Sequence, residues 1–288
     1  MTARWPAIPV PSVAWVATMM CVAVVVMFGT TFVGLQQLWE RDANYTHGYL
    51  VVPVAMLFAY FGLRDAGWPV TGETRLGCFY LLGGISLHPI ATLYWSLILD
   101  FIALVFILRG LALLAGGRTW AQHFTFSIAF LFFMFPLPRL WGEFIALWLQ
   151  DIVAALSAWA LDVCFICYQR GTILYVAGVR APLVVAEECS GLRQLGAFLA
   201  LGAVVGHWAR RPFWLRLVLL LAALPIAVFA NVLRVLMMAF GARYFGIEWL
   251  SGWLHHAPIL FALPVGIALF YMIDRGVGSW PARPQEAS

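Results

Sequence analysis

LRLVLLLAALPIAVFANVLRVLMMAF, residues 215–240, is apolar on every side of a helix except at Arg216, Asn231 and Arg234. A helix that is hydrophobic all round belongs in a bilayer or a deep core, and roughly 20 such residues cross ~30 Å of hydrocarbon. Stretches of the same kind recur near Val13 to Leu35, Gly48 to Leu63, Leu76 to Pro89, Ile90 to Ala115, Ala121 to Pro136, Leu195 to Trp208 and Ile259 to Ile273. With 64% of 288 residues hydrophobic and 10% charged, the chain lacks the polar surface that a soluble globule of this size needs. The reading is an all-α integral membrane protein of about eight transmembrane helices. It forms one polytopic domain over residues 1–288, with a core at 13–273 and a short polar tail at 274–288. The first stretch is too long for a signal-peptide core and reads as the first anchor.

Charge narrows the chemistry. All 17 basic residues are Arg, so Schiff-base and P-loop lysine chemistry fall away. The net charge of +4 is dispersed, and nucleic-acid binding has no support. Five cysteines form no disulfide framework; Cys21, Cys78, Cys164 and Cys167 lie in apolar runs and read as small buried hydrophobes. The His and acidic residues show no metal-ligand spacing, and no metal or other cofactor is implied.

Two segments depart from the pattern of spans. Arg139 to Cys167 carries Glu143, Asp151 and Asp162, a density of acids that suggests an interfacial or re-entrant helix, since a carboxylate at mid-bilayer costs on the order of 2.5–3.5 kcal/mol. From Arg170 to Glu188, the runs Thr172–Val176 and Pro182–Ala186 flank Gly178 as two short β-like runs around a turn. The sixth and seventh spans then form a hairpin turning at Arg210, Arg211 and Arg216. Its outer ends, carrying Cys189 and Arg193 on one side and Asn231, Arg234, His255 and His256 on the other, share one membrane face.

Counting arginines does not fix the orientation. Ten (4, 64, 75, 109, 118, 210, 211, 216, 275 and 283) lie inside against seven outside if 139–167 does not cross, and the tally is again ten to seven if it does. Setting aside Arg193 and Arg234 as functional favours the non-crossing arrangement, ten to five against eight to seven. That arrangement puts His47, Cys189, Arg234 and His256 on the outer face.

Val184 to Arg193 is the sharpest chemical feature. A β-like run ends, Cys189 follows, Ser190-Gly191 permits a tight turn and an apolar helix begins. The positive end of a helix dipole favours thiolate, so Cys189 is placed to be a nucleophile. Arg193, one turn on, can add to that effect or order Glu187 and Glu188. Asn231 and Arg234 stand three apart on one helix face, and a guanidinium within a span suits an oxyanion. His255 and His256, ahead of the last span, offer a general acid for an amine leaving group, with His256 slightly preferred. His47 reads as substrate-binding or supporting, or as a hydrogen-bonded structural histidine. Asp100 reads as the partner of an Arg such as Arg109, or as the lining of a polar cavity. Cys164-Phe165-Ile166-Cys167 reads as core rather than a redox pair.

These pieces together resemble the exosortase and archaeosortase family. Glu187-Glu188-Cys189-Ser190-Gly191-Leu192-Arg193, then Asn231-Val232-Leu233-Arg234, then a His before the last helix look like its ordered Cys, Arg, His signature. Tyr45-Thr46-His47-Gly48-Tyr49-Leu50-Val51-Val52-Pro53 resembles its Tyr-Ser-His-Gly-x-Leu-x-x-Pro motif, and Phe135-Pro136-Leu137-Pro138 its proline-rich turn. Glu188 stands where the family commonly has Ala, and Ile259-Leu260 where a Gly usually follows the His. The resemblance implies a cysteine endopeptidase and transpeptidase of the bacterial inner membrane, working at the outer face through a thioacyl intermediate. Its partners would be the lipid bilayer and membrane-anchored proteins ending in a sorting tail of short motif, hydrophobic helix and basic end. Two other classes stay open: a transporter or assembly subunit for an exported polysaccharide, needing no thiol, and a membrane thiol oxidoreductase, needing the CxxC.

Overall fold

The computed structural model describes residue 19 and residues 22–66, 72–136, 139–185, 192–209, 212–246 and 257–278. Packing divides the chain into two compact units, residues 1–41 with 52–135, and residues 42–51 with 136–288.

In the first unit, helical residues 22–27 lead into α1 (Gly29–Arg41), and α2 (Gly48–Ala66), whose first four residues belong to the second unit, is followed by α3 (Thr74–Leu93) and α4 (Leu97–His123). The third and fourth spans, expected to divide at Pro89, divide instead at Tyr94–Ser96, and Pro89 lies inside α3. A proline removes one helical hydrogen bond, which membrane helices tolerate where neighbours re-satisfy the carbonyl. The turn itself is tight: Trp95 takes a left-handed φ of 52°, and Ser96 Oγ caps α4 by accepting from the Leu99 amide at 3.4 Å. α3 and α4 run antiparallel at close range. A Cβ at Gly110 would come within 2.7 Å of the Leu81 nitrogen, and one at Gly84 within 2.8 Å of the Ala103 carbonyl, so only glycine lets the backbones meet.

The fifth expected span, Ala121 to Pro136, is not a span. α4 kinks at Gly117 and runs on to His123; then come α5 (Thr125–Phe130) and a 3₁₀ turn, Leu131–Met134. At 1.5–2 Å per residue that piece is ~17 Å long, too short for ~30 Å of hydrocarbon. Pro136 ends it by holding Phe135 extended, at φ −92° and ψ 143°.

The second unit holds a 3₁₀ turn (Ala43–Tyr45), α6 (Arg139–Asp162), strands β1 (Cys167–Arg170), β2 (Ile173–Val176) and β3 (Leu183–Val184), and helices α7 (Leu192–Trp208), α8 (Phe213–Phe245) and α9 (Ala257–Gly278). α6, expected to be interfacial or re-entrant, is one unbroken helix whose stretch Trp141–Asp162 is long and apolar enough to cross. Its acids do not forbid this, because Glu143 and Asp162 fall near its ends and leave Asp151 alone at mid-length. The β-like excursion is an antiparallel sheet in the order β1-β2-β3. Gly171 and Gly178, at φ 59° and 82°, supply the left-handed turns between strands. β1 was not expected, since Cys-Tyr-Gln-Arg carries no β-branched residue. Leu174, Val176, Leu183 and Val185 share a core with Val153, Ala154 and Leu161 of α6 and Val235, Ala239 and Ala242 of α8. A second core joins Leu149, Leu195, Phe198, Leu219, Ala223, Ile226 and Phe270.

Among the described residues, five stretches are long and apolar enough to cross a membrane: Ala43–Ala66, α3, α4, Trp141–Asp162 and α8. The chain is thus a largely helical, multi-pass membrane protein with a small three-stranded sheet.

Candidate active site

Glu187, Glu188, Cys189, His255 and His256 lie outside the described residues. Their neighbours on α7, α8 and α9 fix where those chain segments attach.

α7 and α8 form the expected hairpin. A Cβ at Gly206 would meet the Arg216 backbone at 3.2 Å, and one at Gly202 the Leu219 carbonyl at 2.9 Å. At 1.5 Å per residue this antiparallel register sets Arg193 level with about Val228 and Phe229, and Asn231 and Arg234 a further ~3 to 9 Å on. Both are buried, Asn231 completely and Arg234 to 4% exposure, and α8 therefore presents its amide and guanidinium at the end where the Cys189 segment joins α7. α9 packs beside α7 in the same direction, Gly266 against the Phe198 ring and Phe270 against Gly202. α9 starts ~14 Å before Gly266 and α7 ~9 Å before Phe198, so the two helices start within about 5 Å of one level. α9 therefore begins, at Ala257, at that same end.

β3 approaches it too. Gln150 of α6 donates its Nε2 hydrogen to the Val185 carbonyl and so pins the end of the strand just before Glu187 to Cys189. Val185 shares its core with Val235, the neighbour of Arg234. His47 is brought to α7 as well: a Cβ at Gly196 would come 2.7 Å from its Cε1, so only glycine there admits the imidazole one turn from Arg193. The Arg193 Nε and Gln194 Oε1 atoms are buried with no hydrogen-bond partner among the described residues. Gln150, Gln194 and Gly196 were missed from sequence; the Gly-x-x-x-x-x-Gly run of α7 was the available signal for close approach.

Other expected roles change. Asp100 pairs with a histidine, not with Arg109: its carboxylate accepts from Thr31 Oγ1 at 2.9 Å and lies 2.9 Å from His88 Nδ1, with Phe28 against the imidazole. Arg109 instead reaches Thr125 Oγ1 at 3.4 Å and lies over the Tyr80 ring. The three described cysteines are not buried: Cys78 and Cys164 are exposed and Cys167 is half-buried, for a small thiol on an apolar helix or turn can face lipid at no penalty. Burial, and then the Asp162 carboxylate, push the Cys167 thiol up from its ordinary range, the wrong direction for a redox-active CxxC. Among the described residues no three His, Cys, Asp or Glu side chains gather as a metal set. Between them, α6 and α8 enclose an open apolar groove of about 610 Å³ lined by Trp148, Trp159, Pro225, Phe229 and Val232.

Residues 39–272 match the model of a protein family described as transmembrane exosortase. No curated protein and no solved structure matches the chain.

Proposed function

Since the chain belongs to the transmembrane exosortase family, a class of membrane transpeptidases, we propose that it is a cysteine endopeptidase and transpeptidase that removes the C-terminal sorting tail of exported proteins. The thiolate of Cys189 attacks the scissile carbonyl carbon and forms a C–S bond, with the negative charge passing to the carbonyl oxygen. Arg234, oriented by Asn231, faces that oxyanion, a contact of a kind worth ~10²–10³ in kcat. The tetrahedral intermediate collapses by breaking the C–N bond, and His256 or His255 gives its proton to the departing amine. Water or an acceptor amine then attacks the thioester and releases the thiolate. Arg193 offsets the charge of Glu187 and Glu188, which alone would hold the thiol protonated. His47 supports the start of α7. The working face is the outer one, in the bacterial inner membrane.

The observation that carries the reading is the shared helix register: α7 and α9 start at one level, and Arg234 of α8 is buried there. The thiol oxidoreductase reading loses ground with the raised Cys167 thiol.

Co-expression with a membrane protein bearing a sorting tail tests it. Tail removal is expected to stop with Cys189→Ala, to fall steeply with Cys189→Ser, and to continue with Cys164→Ala plus Cys167→Ala. Processing undisturbed by Cys189→Ala ends the proposal.

A further inference from the structure

β3 is an edge strand, and its hydrogen-bonding pattern shows what it offers. Its register sets Leu174 opposite Leu183 and Ile173 opposite Val184, and the Val185 amide donates to the Thr172 carbonyl at 2.9 Å. Antiparallel pairs alternate between bonded and non-bonded positions. With Val185 bonded to β2, Leu183 is the next bonded position and Val184 the non-bonded one between them. The Val184 N–H and C=O therefore point away from β2, as does the Pro182 carbonyl. The strand is held firmly: Leu183 and Val185 are 6% and 2% exposed, while the Val184 side chain between them is 56% exposed. Gln150 adds its hydrogen bond to the Val185 carbonyl.

The opposite edge is different. The Ala177 amide donates to the Ile166 carbonyl, which makes Cys167 an outward position on β1, and the Cys167 amide is already taken by Asp162 Oδ1 at 3.1 Å. The first outward amide of that edge is thus taken by its own chain. The β3 edge stays open among the described strands, and the backbone from it leads to Cys189 in five residues.

We propose that the free edge of β3 is the docking line for the substrate, an extended polypeptide segment that adds to the sheet as a fourth strand beside Val184. This rests on the reading of Cys189 as the nucleophile. Five trans peptide units span at most about 18 Å, so the paired segment lies within about six residues of the bond that is cut. The chemistry recognised is a free amide and carbonyl in alternation. A helix, whose backbone bonds to itself, cannot offer this, and neither can a lipid. At a bilayer surface each such bond gains from the low dielectric, and an extended tail motif that lost its water there would need these partners.

The test uses the full chain in membranes with a tail-bearing substrate. Val184→Pro deletes the outward N–H and leaves the β2 bonds intact, and Leu183 before it is already extended as a proline requires. Tail removal is expected to fall at least ~10-fold, against a few-fold at most for Val184→Ala, which keeps the amide. Alkylation of Cys189 by iodoacetamide, with the other four cysteines changed to Ser, is expected to stay at its Val184 level. Tail removal by Val184→Pro equal to that by Val184→Ala overturns the proposal. A photo-crosslinking amino acid at Val184 in the Cys189→Ala chain gives a readout free of folding and turnover: capture is expected at every second residue of one substrate segment. Capture of no substrate residue, or of successive residues without alternation, also overturns it. The arm with Cys189→Ala alone separates the two claims, for a tail still removed there sinks the nucleophile, while the alternation reports the edge by itself.

Discussion

In the proposed mechanism, Arg234 is the residue on which the chemistry turns. A guanidinium buried in a spanning helix has a permanent charge to satisfy, and Asn231 one turn away is buried completely beside it. Arg234→Ala is expected to lower tail removal by ~10²–10³, and Arg234→Lys to recover little of it, because a point charge does not reproduce a planar fork. Single-turnover rates at matched membrane yield check this. Gly196 makes a different claim. Gly196→Ala drives a Cβ into the His47 imidazole and is expected to cost about 1–3 kcal/mol, and His47→Ala is expected to relieve most of it in a double-mutant cycle read by thermal melting in detergent. Asp100→Ala strands His88 and Thr31 and is expected to cost about 1–3 kcal/mol by the same measurement. Arg234 and Asn231 were legible because polar groups stand out in an apolar run. His88 was not, because its partner lies twelve residues away around the Trp95 turn, a separation no helical period flags.

Helices were legible from hydrophobic run length, and their ends only where a breaker acts. Pro136 ends its segment because the residue before it must be extended; Pro89 does not, being one missing hydrogen bond in a helix packed on α4. Run length also misled at Ala121 to Pro136, where the break at Gly117 divides a continuous apolar stretch differently. β1 escaped because its order comes from pairing with β2, not from its own side chains. At the start of α3, Glu73 receives Arg118 Nε at 2.6 Å and Nη2 at 3.0 Å, and this contact holds its carboxyl below the ordinary carboxylate value near 4.5. A lowered folded pKa gives stability that is full above the ordinary value and is lost as pH falls through the lowered one. The wild-type melting temperature is therefore expected to decline relative to Glu73→Gln on acidification below about pH 4.5, and the two curves to run parallel above it.

Over the whole chain, His47 beside Gly196 fixes a parity. Both lie at one membrane face, so an even number of crossings separates them. α2, α3 and α4 supply three, and one of the two remaining candidates supplies the fourth. The ~17 Å piece from Thr125 to Met134 is too short, which leaves α6. In the proposed orientation α6 thus takes the place of the 125–134 piece among the expected crossings. Arg139 moves inside, and the tally becomes eleven arginines inside (4, 64, 75, 109, 118, 139, 210, 211, 216, 275, 283) against six outside (41, 170, 180, 193, 234, 243), a clearer bias than the ten to seven counted from sequence. In a chain without other cysteines, Arg170→Cys is expected to react with an impermeant maleimide from outside and Arg139→Cys only after permeabilisation; labelling of both from outside would return α6 to the surface. The close antiparallel pairing of α3 with α4 also bears on how the chain is made. Three residues join the two helices, and Gly84 and Gly110 let their backbones touch, so a ribosome that has released His123 from its tunnel has already delivered both halves of a finished contact. The insertion machinery can then hand this pair to the lipid as one object, with neither helix waiting for a partner still to be synthesised.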